Sequence, residues 1–217
     1  MLMLRAPGVY AAQGDTFLLI SALRRERLAP GSRVLDVGTG SGVLALAAAQ
    51  LGGSVTAVDV SRRALGTAWA NAALRGKRIA VRVGDLLEPV RGRRFDLVLS
   101  NPPYVPSPNP QLPTRGVARA WDAGPAGRAL LDRLCRDVPR VLAPGGVVLL
   151  VHSSLCGVEA TRSALERVGL RTRVVANVRQ PFGPVMRGRA RWFEGQGLID
   201  PGVREEELVV VRGERAR

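Results

Sequence analysis

From Arg33 onward the chain alternates short apolar runs, rich in Val and Leu, with longer stretches whose apolar positions recur at helical spacing. The short runs predict strands at 33–37 (RVLDV), 54–60 (SVTAVDV), 79–83, 95–100 (FDLVLS), 146–152 (GVVLLVH), 171–178 and 207–211. Helices are predicted at 41–51, from a cap at Ser61 to about 75, from about 127 to 141, and at 158–168. Strands alternating with helices predict an α/β fold, a mostly parallel sheet covered on both faces. Two stretches break the alternation: a Pro-rich loop at 102–113 and a basic segment at 180–197. No internal repeat or low-complexity tract is present.

Length and composition narrow this picture. A chain of 217 residues with 46% apolar content suits one domain with a sizeable core. It is read as a single domain over 1–217, with residues 1–30 as an N-terminal lid and helix and 180–197 as a basic insertion. No apolar run reaches the length of a membrane span, and residues 1–4 are too few for a signal segment, so a cytoplasmic protein is expected. Cys135 and Cys156 make no disulfide framework and are read as free thiols. The formal net charge is +14, carried almost wholly by Arg, with Lys77 the only lysine. The arginines are scattered along the chain, and Ala, Gly and Pro are also abundant. Two readings stay open: a GC-rich coding bias, or contact with RNA through a basic surface.

The densest local signal is Asp36-Val37-Gly38-Thr39-Gly40-Ser41-Gly42, where the first strand gives way to a helix. Glycines there permit a tight turn and close ligand approach. A nicotinamide loop would space them G-x-G-x-x-G and offer helix N–H groups to a pyrophosphate. Here the spacing is G-x-G-x-G behind an acid. That acid suits a ligand bearing an ammonium group, as the methionyl end of S-adenosylmethionine does. Asp59 ends the second strand, where a carboxylate can accept from ribose hydroxyls; a helix cap is the plainer alternative. Asp85 follows the third strand, placed to reach an adenine amino group, with Leu86 adding a backbone N–H and an apolar face. Three acids at successive strand ends mark the crevice where open α/β sheets bind ligands. No Cys/His spacing resembles a metal site. His152 is read as the end of the fifth strand and Trp69 as core packing.

Asn101-Pro102-Pro103-Tyr104 follows the fourth strand on the same rim. An amide nitrogen is a poor nucleophile because its lone pair is delocalised. The Asn101 side-chain oxygen can accept one N–H of such a group and the Pro102 carbonyl the other. Both bonds favour positive charge developing on nitrogen and aim it at a methyl sulfonium. The prolines restrict the backbone that carries the acceptors, and Tyr104 offers a ring face to a planar group.

Together these motifs resemble the release-factor glutamine methyltransferase family (the HemK/PrmC type), most closely its short branch. The resemblance runs from about Tyr10 to His152 and rests on Gly8-Val9-Tyr10, Asp15-Thr16-Phe17-Leu18-Leu19, Asp36 to Gly42, Asp59, Asp85, Asn101 to Tyr104 and Trp121 to Gly127. It implies a Rossmann-like class I S-adenosylmethionine-dependent methyltransferase with seven strands, the last antiparallel. It also implies that Thr16 contacts the cofactor together with Asp36, Gly38, Gly40, Gly42, Asp59, Asp85, Leu86 and Asn101. Asn101, Pro102, Pro103 and Tyr104 would hold a glutamine of the Gly-Gly-Gln loop of a peptide-chain release factor. Short-branch enzymes use a small zinc-bearing activator subunit, so such a partner is implied as well. The chain departs from that branch in Ala11-Ala12-Gln13-Gly14, where Pro and Glu are usual, and in the basic segment 180–197, where the branch has a shorter connection. That segment is read as an amphipathic helix with solvated arginines, or as a contact for an acidic protein or ribosomal RNA through Arg187, Arg189 and Arg191. Two other functions fit the motifs: adenine-N6 methylation of DNA or RNA, and a non-catalytic S-adenosylmethionine-binding subunit.

Overall fold

The computed structural model describes residues 3–217; the first two residues of the expected lid lie outside them. Seven strands form one sheet: β1 (Arg33–Val37), β2 (Ser54–Asp59), β3 (Ile79–Val83), β4 (Phe95–Ser100), β5 (Leu142–Ser153), β6 (Leu170–Pro181) and β7 (Glu205–Arg215). Their order is β3-β2-β1-β4-β5-β7-β6. All neighbours are parallel except β7, which runs antiparallel to both β5 and β6. The expected mostly parallel sheet with an antiparallel last strand is therefore what the chain forms.

The near-continuous apolar runs explain the layering. In β1, Val34 points into one apolar cluster and Leu35 into the other, and β4 divides Leu97 and Val98 in the same way. One cluster takes in α1 (Gly14–Leu23) and α2 (Val43–Gln50); the other takes in α4 (Ala129–Asp137) and α5 (Val158–Arg167). A third helix, α3 (Arg62–Ala73), packs on β2, β3 and α2. It does so with a face of small residues, Ala64, Ala68 and Ala72. That narrow face corrects the reading of Trp69: it is 57% exposed, because the close approach of α3 to the α2 entrance leaves no room for an indole. Gly42 marks the approach. Its φ is +82°, and a Cβ there would lie 2.6 Å from the Ala68 Cβ.

Element ends differ from the pattern reading where tertiary pairing takes over. β6 and β7 extend well beyond their apolar centres because they pair with each other from Leu170↔Arg215 to Pro181↔Glu205. β5 begins at Leu142, ahead of Gly145 and Gly146, because Leu142 already pairs with Phe95; the register then shifts before Val147 pairs with Leu97. His152 is the penultimate residue of β5, fully buried, and burial lowers its pKa to about 4, so it is neutral.

The basic segment forms α6 (Pro184–Gly195). Met186, Ala190 and Phe193 face inward against Tyr104, Val105, Leu131 and Phe182 in a third apolar cluster, at the rim where the parallel strands end. Burying Phe193 alone contributes about 2–3 kcal/mol. The reading of solvated arginines holds for Arg187 and Arg191 but not for Arg189. The Arg189 guanidinium donates to the Pro106 carbonyl (3.0 Å) and forms an ion pair with Asp122 (2.6 Å). It thus ties α6 to the loop that follows Asn101.

Candidate active site

The C-terminal ends of β1, β2, β3 and β4 surround a cavity of about 810 Å³, within the range of small-molecule sites. Gly38 and Gly40 border it with φ of +72° and +54°, and nothing else comes within 4 Å of where their Cβ atoms would be, so the loop leaves open space for a ligand. Asp59, Gly84, Asp85, Leu86, Thr16, Asn101 and Pro103 also line it. Among the described residues, Leu86 is the one non-glycine residue with positive φ, +48°. Strain of that kind, on the order of 1 kcal/mol, collects at ligand sites.

Each expected residue has a definite place. Asp59 accepts from the backbone N–H of Gly40 (3.0 Å) through Oδ2 and of Ser61 (2.8 Å) through Oδ1. The cap of α3 is instead the Ser61 hydroxyl, so Asp59 is left to face the cavity. Burial raises its pKa, against those backbone hydrogen bonds. Asp85 borders the cavity but is already ion-paired with Arg133 of α4, so any contact it makes is shared with a guanidinium.

Asp36 and Gly42 are corrections, since neither lines the cavity. Asp36 is fully buried below the glycine loop, where Oδ2 accepts from the Thr39 hydroxyl (2.6 Å) and the Ala45 N–H (3.0 Å). It stitches the loop to the first turn of α2, and burial pushes its pKa up to about 7. Its Oδ1 has no hydrogen-bond partner among the described residues. Gly42 serves helix packing, as described above.

Behind the main cavity lies a narrow side cavity of about 40 Å³, enclosed by Tyr10, Asp15, Asn101, Pro102, Tyr104, Val105, Ala120 and Trp121. That is room for little more than the end of one side chain. Asn101, Tyr10 and Ala120 belong to both cavities. Asn101 Nδ2 donates to Thr16 Oγ1 (3.3 Å), which donates to Asp15 Oδ1 (3.2 Å). Asp15 Oδ2 accepts from both phenols, Tyr10 (3.3 Å) and Tyr104 (3.1 Å). Tyr104 thus does not offer an open ring face. It is buried, walls the side cavity, and its proton is held by Asp15 while burial raises its pKa.

Several residues here went unassigned in the sequence. The strap 3–12 crosses α3 and forms one wall of the main cavity through Pro7, Gly8 and Val9. It is pinned by Asn71, a fully buried amide that accepts from Leu4 N–H (2.8 Å) and donates to the carbonyls of Leu4 (2.9 Å) and Ser41 (3.0 Å). Residues 112–120 of the Pro-rich loop and its continuation form a further part of the wall, with Arg119 among them and Val117 beside Gly8 of the strap.

A methyltransferase small domain model matches residues 1–114. A Methanocaldococcus jannaschii protein, provisionally named as a protein N5-glutamine methyltransferase, is 34% identical over 181 residues, covering 83% of this chain and 90% of its own. The release factor glutamine methyltransferase of Bordetella pertussis is 38% identical over 177 residues, covering 76% of this chain and 64% of its own. The chain belongs to the protein N5-glutamine methyltransferase family. Like its family, it is a class I methyltransferase whose cofactor is S-adenosylmethionine. The chain spans 64% of the length of the Bordetella protein and 58% of that of a Xylella fastidiosa release factor glutamine methyltransferase. The fold is shared with the Mtq2 and Trm112 complex of E. cuniculi that methylates the termination factor eRF1 (TM-score 0.67, 24% identity, 96% of this chain and 99% of that one). It is shared too with a Thermus thermophilus 16S rRNA guanine methyltransferase in complex with AdoMet and guanosine (TM-score 0.63, 20% identity, 97% of this chain and 46% of that one).

The residues present fit this cofactor. The glycine loop leaves space, and Asp59 faces it with lone pairs to spare.

Proposed function

We propose that the protein transfers a methyl group to the side-chain amide nitrogen of a glutamine in a peptide-chain release factor, within its Gly-Gly-Gln loop. The observation that carries this reading is Asn101. It stands in the wall common to both cavities, and its Nδ2 is engaged by Thr16, which leaves Oδ1 to accept from an incoming amide. The bound cofactor supplies an electrophilic methyl group. Asn101 Oδ1 and the Pro102 carbonyl accept the two N–H bonds of the amide. They raise electron density on nitrogen and point its lone pair towards the main cavity. Pro102, Tyr104 and Trp121 enclose the amide and exclude water. Gly38, Gly40, Thr16, Asp59, Asp85 and Leu86 hold the cofactor, Pro103 closes the junction, and Asp36 acts from beneath the loop. The 217 residues work as one methyltransferase domain in the cytoplasm, where release factors act; no helix among the described residues is long and apolar enough to cross a membrane. A small activator subunit belongs to this proposal as a partner.

Two measurements bear on it. With labelled S-adenosylmethionine, mass spectrometry should find the label on the Gly-Gly-Gln glutamine of the release factor from the same organism. Label on adenine of added DNA or RNA, with none on the release factor, would replace this reading with the nucleic-acid one. For the cofactor, Asp59→Ala should weaken binding by about 1–3 kcal/mol, the cost of a lost charged hydrogen-bonding group. Calorimetry giving equal affinities would remove Asp59 from the site.

A further inference from the structure

The arginines that look scattered along the sequence are gathered by the fold. In a parallel sheet every return connection ends on the side where strands begin, opposite the active-site rim. The segments on that rear side are 24–33, 51–53, 74–78, 92–96, 136–146, 166–171 and 212–217, the last because β7 runs antiparallel. These 46 residues hold 16 Lys and Arg against 5 Asp and Glu, a net of +11, while the other 171 residues carry only +3. A coding bias towards arginine would raise the count everywhere; it would not by itself place the excess on one side. The five rear acids are all held in ion pairs, for example Asp96 with Arg33 and Glu26 with Arg212. Arg24, Arg27, Arg78, Arg93 and Arg217 are exposed and form no ion pair among the described residues.

We propose that this rear face docks on RNA and leaves the catalytic rim turned outward. The basic segments serve strands from one edge of the sheet, β3, to the other, β6. Six strand spacings make that row about 29 Å long. A single nucleic-acid strand presents a phosphate about every 3.4 Å, so the row matches about eight phosphates. An acidic patch on a protein rarely offers so long a continuous run of charge. Guanidinium groups also suit phosphate, which they bind through paired N–H donors. A lipid surface would require an apolar stripe among the charges. The large exposed apolar side chains on this side are Leu51 and Leu74, from separate connections. Because the excess charge points away from the cavities, it is suited to anchoring the enzyme rather than to drawing substrate into the site.

The test uses the full chain and a fluorescein-labelled 20-base-pair RNA duplex, followed by anisotropy at several salt concentrations. The wild-type protein should bind with steep salt dependence. Replacing Arg24, Arg27, Arg78 and Arg93 with Gln should raise Kd at least tenfold near 0.1 M salt and lower the log–log slope by about 3.6, at about 0.9 counterion for each of the four lost phosphate contacts. The same variant should keep the wild-type melting temperature and cofactor affinity. Arg187→Gln with Arg191→Gln, on α6 at the opposite side, should leave RNA affinity within about twofold, since those charges lie outside the proposed contact. Equal RNA binding by the rear variant and wild type would overturn the proposal, as would a larger loss in the α6 variant. Tighter binding to phosphatidylserine vesicles than to duplex at equal phosphate would assign the face to membranes instead. None of these readouts depends on which substrate is methylated.

Discussion

Asn101→Ala should lower kcat by about 100-fold or more, the scale expected when one preorganised hydrogen-bonding group at a reacting centre is removed. The protein should remain folded, because Asn101 gives up only a single 3.3 Å bond to Thr16 within the structure. The loss should fall on the chemical step, since the missing acceptor matters most as positive charge develops on nitrogen. Single-turnover methyl transfer, with circular dichroism as the folding control, measures this. A folded Asn101→Ala protein that transfers the methyl group at near wild-type rate would leave Asn101 without its orienting role.

The second large effect concerns how Asn101 is held the right way round. A carboxylate only accepts hydrogen bonds, so Asp15 compels the Thr16 hydroxyl to donate to it. The Thr16 oxygen then accepts from Asn101 Nδ2, and the amide of Asn101 must present Oδ1 to the acceptor. Thr16→Val keeps the shape and breaks this relay; kcat should fall by about 10- to 100-fold, equivalent to about 1.4–2.8 kcal/mol. Thr16→Ser restores the hydroxyl and should restore most of the rate. Asp15→Asn should resemble Thr16→Val in kcat, because its amide can donate to Thr16 and reverse the relay. It should leave cofactor affinity nearly intact, because Asp15 borders only the side cavity, whereas Thr16 borders the main one. Equal rates for Thr16→Val and Thr16→Ser would show that the hydroxyl orients nothing.

The fold was legible because its strands are near-continuous apolar runs. Leu97 and Val98 must both be buried, and only a sheet covered on both faces achieves that. The rim was legible because sheet topology places Asp59, Asp85 and Asn101 at successive strand ends. Contacts between distant segments were not. Asp36 reads as a ligand residue because an acid before a glycine loop carries no mark of facing down towards Ala45 rather than out. Gly42 reads as one more loop glycine, and only the arrival of Ala68 shows that its missing side chain makes room for a helix. Trp69 fits the average behaviour of tryptophan, which the small-residue face of α3 overrides. Arg189 looked like Arg187 and Arg191 until α6 was placed against Pro106 and Asp122. Asn71 had a weak signal, a polar residue in the buried stripe of a helix, where an amide needs partners for both its ends.

The position of β7 bears on how the enzyme is assembled. β6 has no place in the sheet until β7 is inserted between it and β5, although 23 residues, including all of α6, separate the end of β6 from the start of β7. β7 also delivers Leu208, which packs in the cluster beneath Tyr104. During synthesis the parallel half of the sheet and its glycine loop can therefore form while the packing behind Tyr104, which walls the side cavity, is still incomplete. Competence to hold the cofactor precedes competence to act, and the emergence of β7, after the other six strands of the sheet, turns one into the other.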